Sequence, residues 1–310
     1  VSGNADWIAV DWGTSNLRLW ALDAKGEVIA ERASDQGMGR LAPDQFETVL
    51  LDLCDGLLDA ARRTDVVICG MAGARQGWAE APYLAVPIAM SALGAGGVVP
   101  PVASKLISVR ILPGLSQQHP ADVMRGEETQ ISGFCATHEG FEGALCLPGT
   151  HSKWVRVAGG EISRFRTVMT GEVFALLSEQ SVLRHSLAKD LADAADLAQE
   201  IGVDAAFASA VRQAFDAPEA GLAALFALRA ESLLHGAAAA PLRARLSGGL
   251  IGAELAATRD LWEGQPVAVI GAGPLAALYV AALAELGTKA ALKDGSHLAL
   301  HGLRAARSAL

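Results

Sequence analysis

Twice the chain runs an apolar strand into a glycine-threonine turn and leaves along a second apolar strand. The first copy is Trp7-Ile8-Ala9-Val10-Asp11-Trp12-Gly13-Thr14-Ser15-Asn16-Leu17-Arg18-Leu19-Trp20. The second is Gly143-Ala144-Leu145-Cys146-Leu147-Pro148-Gly149-Thr150-His151-Ser152-Lys153-Trp154-Val155. Short apolar runs bounded by a glycine turn predict β-hairpins, and a glycine turn lets backbone N–H groups approach an anion closely. One such hairpin could be an ordinary turn with a polar tip. Two, in separate halves of the chain, predict paired α/β lobes whose turns face each other and grip a polyphosphate from both sides. Asp11, closing the first strand, suits a hydrated Mg²⁺ beside phosphate oxygens, because that ion keeps most of its waters and takes few carboxylates. Lys153 either adds positive charge there or is an exposed strand lysine, and His151 has no assigned role.

Two lobes also fit the length, since 310 residues exceed what one core usually serves. The expected division is 1–137 for the N-terminal lobe and 138–310 for the C-terminal lobe, with the last helix, from about 294, able to return to the first. A hydrophobic content of 51% against 19% charged residues excludes a disordered chain. The net charge of −9 argues against nucleic acid or an anionic membrane as partner, since either needs clustered positive charge. Cys54, Cys69, Cys135 and Cys146 lack Cys-x-x-Cys spacing and read as reduced thilos of a cytoplasmic protein. The charge-free runs 81–104 and 264–284 are broken by prolines and glycines, so neither reads as a membrane span. The N-terminus carries no basic region followed by an apolar segment, and no signal peptide is expected.

Between the hairpins, Gly26–Ala33 predicts a third antiparallel strand, Gln45–Arg63 an amphipathic helix, and Asp65–Gly70 a buried strand. The loop Gly70–Trp78 then lies past the carboxyl end of a strand, where open α/β sheets bind ligands. Arg75 could pair with a carboxylate or sugar hydroxyls and Trp78 could pack on a sugar face; equally, they read as a surface arginine beside a core tryptophan. Ser108–Leu112 predicts another strand. Gly126-Glu127-Glu128 opens a helix, and the helix dipole explains one acid in its first turn. A second acid there could accept a proton from a substrate hydroxyl. Residues 160–169 complete a second meander, 171–246 predict a helical layer, and Ser247–Leu255 reads as a glycine-rich turn feeding a helix. Pro266–Tyr279 is a strand, a turn at Gly271-Ala272-Gly273 and a helix, and a final helix starts near Asp294. His297 and His301 lack a third ligand, so a metal site there is not expected.

Gly271-Ala272-Gly273-Pro274-Leu275-Ala276 matches the loose dinucleotide fingerprint, which makes an oxidoreductase a rival reading. It starts too late for the strands a dinucleotide fold still needs, and Pro274 crowds the turn. No Gly-x-x-x-x-Gly-Lys-Ser/Thr pattern occurs, which excludes a P-loop kinase.

The pattern Asp11-x-Gly13-Thr14-Ser15-x-x-Arg18 resembles the first phosphate motif of the actin/hexokinase/sugar-kinase superfamily. Within it, Arg125-Gly126-Glu127-Glu128-Thr129-Gln130, Leu147–Trp154, Met169-Thr170-Gly171-Glu172 and Ser247–Glu254 resemble the bacterial 2-dehydro-3-deoxygalactonokinases. The resemblance implies an α/β, two-lobed actin-like ATPase fold of the ribonuclease H-like kind, with the nucleotide between the lobes. It implies an ATP- and Mg²⁺-dependent kinase for the 6-hydroxyl of 2-dehydro-3-deoxy-D-galactonate in galactonate catabolism, a monomer or homodimer with a small sugar acid as partner. By the same resemblance Glu127 is the base, a departure from the usual Asp, and Asp11 serves the metal. Gly13, Thr14, Ser15, Gly149, Thr150 and Ser152 hold phosphates, and Gly271 and Gly273 let adenine lie close to backbone. Arg18, Arg75, Gln76 and Glu128 serve the acceptor, with Arg75 first and Arg166 second in line for its carboxylate. A kinase of a different acceptor, such as another ketosugar acid or an amino sugar, and a non-catalytic nucleotide sensor share these motifs.

Overall fold

The computed structural model describes residues 3–187 and 205–309. The chain divides into two compact units, one of Val1–Phe141, Ala158–Arg164 and Gly295–Leu310, the other of Glu142–Val157 and Phe165–Asp294.

In the first unit, β1 (Trp7–Trp12) pairs antiparallel with β2 (Leu17–Leu22), which pairs with β3 (Val28–Ser34). On its other side β1 runs parallel to β4 (Thr64–Gly70), and β4 parallel to β5 (Ile107–Ile111). The uninterrupted apolar sequence of β1 follows from burial on both faces. Ile8, Val10 and Trp12 point to one side, against Phe46 and Leu50 of the helix Phe46–Leu53. Trp7 and Ala9 point to the other, against Leu300, Leu303 and Ala306 of the C-terminal helix Gly295–Ser308.

The helix expected over 45–63 stops at Leu53, because Gly56 takes φ +70 and turns the chain, although Leu57 still reaches the same core. Trp78 belongs to this core too. It is 8% exposed, with its ring centroid 6.1 Å from that of Phe46, so it does not present a face to a sugar. The charge-free run 81–104 breaks into strands of two or three residues and short 3-10 turns, and no helix among the described residues is long and apolar enough to cross a membrane.

The second unit repeats the plan. Strand β6 (Gly143–Leu147) pairs antiparallel with β7 (Ser152–Ala158) and parallel with β9 (Val267–Ile270). Beyond β7 comes β8 (Glu161–Val168), of which Phe165–Val168 belong to this unit, and beyond β9 comes β10 (Ala290–Lys293), a strand absent from the sequence reading. The predicted helical layer contains the helices Thr170–Glu179, Ala205–Asp216, Gly221–His235 and the start of Ala239–Ala257; its part at 188–204 lies outside the described residues.

Ser247–Leu255 is not a turn. It lies inside the helix Ala239–Ala257, where its glycines admit a neighbouring helix. A Cβ on Gly248 would stand 2.5 Å from the Phe207 carbonyl oxygen, and one on Gly252 would stand 2.4 Å from that of Val211.

Candidate active site

The register of β1 sets the first group of side chains. Asp11 sits opposite Arg18 on β2 and Cys69 on β4, and the Cys69 thiol donates to Asp11 Oδ1 at 3.7 Å. Burial pushes the Asp11 carboxyl above its usual range. The thiol and Arg18 oppose that rise, while the charge of Glu127 adds to it. The next residues form a tight turn, with the Gly13 N–H on the Asn16 carbonyl at 2.8 Å, and leave Thr14 and Ser15 exposed. The segment Gly37–Gly39 braces the turn from behind, its N–H groups at Met38 and Gly39 donating to the carbonyls of Gly13 and Thr14, both at 2.9 Å. A Cβ on Gly37 would stand 2.3 Å from the Ser15 carbonyl carbon, so only glycine permits this support.

The helix Glu127–Thr137 begins against the end of β4, where Gly126 (φ +106) approaches Gly70 (φ +87); a Cβ on Gly126 would be 3.4 Å from the Gly70 Cα. The two acids at its start face different surroundings. Glu127 is half-buried, and its Oε2 accepts the Arg125 N–H at 3.2 Å. Glu128 is 1% exposed, its carboxyl taking the Gly126 N–H at 2.7 Å and the Thr129 hydroxyl at 3.2 Å. Its expected contact with an acceptor is therefore corrected: the side chain is turned inward and braces the helix start. Arg75 and Gln76 are exposed, and Arg75 pairs with Glu80 at 3.3 Å. Arg18 lies 3.8 Å from Glu31.

Burial, with the charge of Glu127 second, pushes the Glu128 carboxyl up to about 8 from 4.5. The folded chain thus keeps a proton there that the unfolded chain releases as pH passes 4.5. The resulting stabilisation is full below about pH 4.5 and is lost as pH rises through about 8. Thermal unfolding is expected to show a component of stability that declines between these values. Glu128→Gln, which cannot ionise, should flatten it; an unchanged pH profile in that variant would refute the assignment.

In the second unit the turn at Gly149-Thr150 is held by the start of the helix Thr170–Glu179. The Glu172 N–H donates to the Thr150 carbonyl at 3.0 Å, and a Cβ on Gly171 would be 2.3 Å from the Gly149 carbonyl oxygen. His151 Nε2 and Glu172 Oε2 lie 2.5 Å apart beside the turn. Ser152 requires a second correction. It is fully buried and its hydroxyl bonds Tyr279 at 2.8 Å, so the side chain faces the core and not a phosphate. Tyr279 donates in turn to buried Glu254 at 2.7 Å, and Trp154 Nε1 donates to the same carboxyl at 2.7 Å. This network ties β7, just past the Gly149 turn, to the helix Gly273–Glu285, just past the Gly271 turn. Burial raises the Glu254 carboxyl, and hydrogen bonds from Thr170, Tyr279 and Trp154 moderate the rise. Gly271 donates to the Lys293 carbonyl at 2.9 Å, while Gly273, at φ +73, is exposed at the start of its helix. Lys153 is buried and donates to the His151 carbonyl at 3.1 Å. Arg166 is paired with Asp260 at 2.7 Å, so its cation is already matched within the unit.

No group of three or more His, Cys, Asp or Glu fit to hold a metal occurs among the described residues. A half-buried carboxylate with a second acid acting on it nevertheless fits a Mg²⁺ that takes most of its ligands from water and phosphate.

A hairpin with a glycine-threonine tip, its first strand continued by a parallel neighbour and built once in each unit, is the α/β plan of the actin-like ATPases, and the protein has that fold. Solved structures only 11% identical share it, with TM-scores of 0.52 and 0.54. Within that class the chain belongs to the 2-keto-3-deoxy-galactonokinase family, whose model matches residues 11–306. It is 42% identical to a protein of Rhizobium meliloti (strain 1021) named "Probable 2-dehydro-3-deoxygalactonokinase", over 98% of this chain and 97% of that one. It is 34% identical to the 2-dehydro-3-deoxygalactonokinase of Escherichia coli (strain K12), over 97% of each. A solved Sinorhizobium meliloti structure titled with the same kinase name is 40% identical, with a TM-score of 0.86, covering 98% of this chain and 96% of that one.

Proposed function

We propose that the protein is a kinase that transfers the γ-phosphoryl group of ATP to the 6-hydroxyl of 2-dehydro-3-deoxy-D-galactonate. The observation that carries this reading is kinship with kinases of that name along nearly the whole chain. The carboxylates agree with it: Asp11 and Glu127 act on each other electrostatically, and Glu128 is turned inward. Glu127 takes the proton of the attacking hydroxyl. The Gly13-Thr14-Ser15 and Gly149-Thr150 turns offer backbone N–H groups to phosphate oxygens, and Gly271 and Gly273 leave room beside the adenine. Phosphoryl transfer asks a protein mostly for positioning and charge stabilisation, which such parts supply. Asp11 would hold Mg²⁺ through water, and the ion would neutralise charge on the phosphates. The enzyme works in the cytoplasm, as a monomer or homodimer.

ADP release measured across a panel of 2-keto-3-deoxy sugar acids tests this. Acceptor-dependent release, greatest with the galactonate compound, is the expected result; ATP binding with no release for any acceptor would leave a nucleotide sensor. In the same assay Asp11→Asn is expected to raise the Mg²⁺ concentration for half-maximal rate at least about tenfold. An unchanged Mg²⁺ titration would remove Asp11 from the metal site.

A further inference from the structure

A sugar-acid acceptor brings a carboxylate, which needs a cation close to the helix start that carries Glu127. Arg75 stands 80% exposed at a loop tip with Glu80 as its partner. Arg18 pairs with Glu31 and lies beside Asp11, on the side of the phosphate turn. Arg125 differs from both. It immediately precedes the Gly126-Glu127-Glu128 helix start, and its guanidinium is folded beneath the loop that follows β4. Nη2 donates to the Ala81 carbonyl at 2.8 Å, and Cζ lies 4.3 Å from the centroid of the Tyr83 ring. Gly73 meets the guanidinium at close range, since a Cβ there would stand 2.8 Å from Nη1. Nε and Nη1 are both buried and have no hydrogen-bond partner.

Buried donors without acceptors are rare, and on a cation they are costly. Neither nearby acid fills these donors: Glu127 Oε2 accepts the Arg125 backbone N–H at 3.2 Å, and Glu128 accepts from Gly126 and Thr129. Two N–H-bearing nitrogens of one guanidinium thus stand idle within two residues of Glu127.

We propose that Arg125 is the anchor for the acceptor's carboxylate, which reaches the guanidinium when the Tyr83 ring moves off it. Tyr83 is 42% exposed, so its ring is free on one side to be displaced. The carboxylate fills the idle donors with charge-assisted hydrogen bonds, and one end of the sugar acid is fixed beside the helix start that carries the base. This makes Arg125 the residue that selects sugar acids over neutral sugars, because a neutral ligand leaves the buried charge unmatched. The inference rests on the kinase reading above.

The test compares kcat/KM for 2-dehydro-3-deoxy-D-galactonate and its C1 carboxamide in the wild type, Arg125→Gln, Arg125→Lys and Arg75→Gln. For the acid, Arg125→Gln is expected to lose about a hundredfold, mostly in KM. It should keep its KM for ATP and change by less than about threefold on the carboxamide. Arg125→Lys, which preserves the charge, should fall between wild type and Arg125→Gln on the acid, and it serves if the glutamine variant does not fold. Equal losses on acid and carboxamide would make Arg125 a structural brace and overturn the proposal. So would an acid-specific loss in Arg75→Gln with none in either Arg125 variant. If the wild type phosphorylates no sugar acid, the kinase reading fails first and the anchor falls with it, an outcome visible before any variant is made.

Discussion

Glu127→Gln is expected to lower turnover about a thousandfold while leaving ATP affinity within a few-fold of wild type. The amide is nearly isosteric with the acid and can still accept the Arg125 N–H that now meets Oε2 at 3.2 Å, so the helix start should keep its shape. What the variant loses is the ability to take a proton from the attacking hydroxyl. A residue that bound ground state and transition state equally would raise KM and spare kcat; a base shows the reverse. Single-turnover rates with saturating ATP and acceptor, beside calorimetric ATP affinity, separate the two. Glu128→Gln is the internal control. Its carboxyl is buried and bonded to Gly126 and Thr129, so its effect should lie in pH-dependent stability and not in the chemical step. Full turnover in Glu127→Gln together with its loss in Glu128→Gln would exchange the two roles.

The different burial of these adjacent acids could not be read from the chain, whereas the hairpins could. Strands β1, β2, β6 and β7 announce themselves because apolar runs broken by glycine-threonine have few other ways to fold. The partners of Asp11 depend on which strand lies beside β1, and periodicity says nothing of that. Cys69 becomes visible only once β4 is known to run parallel to β1 in a particular register. The same holds for the brace at Gly37–Gly39 and for the Glu254 network, whose members come from distant stretches of sequence. Glycine misleads a local reading in both directions. Gly56 ended a helix that the apolar spacing would have continued, and Gly248 and Gly252 looked like a turn when they are the flat face of a helix. Ser152 has a different reason: the start of β7 is buried on both faces, from Ser152 to Val155, so a polar side chain there is enclosed whichever way it points.

Gly302→Ala and Gly133→Ala test the flattest of these contacts, and each is expected to destabilise the first unit severely. Gly133 lies on the helix that begins at Glu127, and Gly302 on the C-terminal helix packed against it. A Cβ on Gly302 would stand 1.9 Å from the Thr129 carbonyl oxygen, and one on Gly133 would stand 1.9 Å from that of Leu298. Both obstacles are backbone atoms within helices, so no side chain can rotate away and the helices must part. Two effects then compete. Alanine gains about 1 kcal/mol over glycine inside a helix, while forcing atoms into a closed contact costs about 1–3 kcal/mol and occasionally more. With two backbone contacts this short, the upper end applies and the cost wins. A net loss of about 2 kcal/mol corresponds to roughly 6 °C in melting temperature for a unit of this size. Gly249→Ala isolates the opposing gain, because its Cβ would have nothing within 4 Å and the position is equally helical. That variant should melt at or slightly above the wild-type temperature. If all three substitutions shifted unfolding alike, the sign would come from helix propensity and the close crossing of the two helices would be wrong.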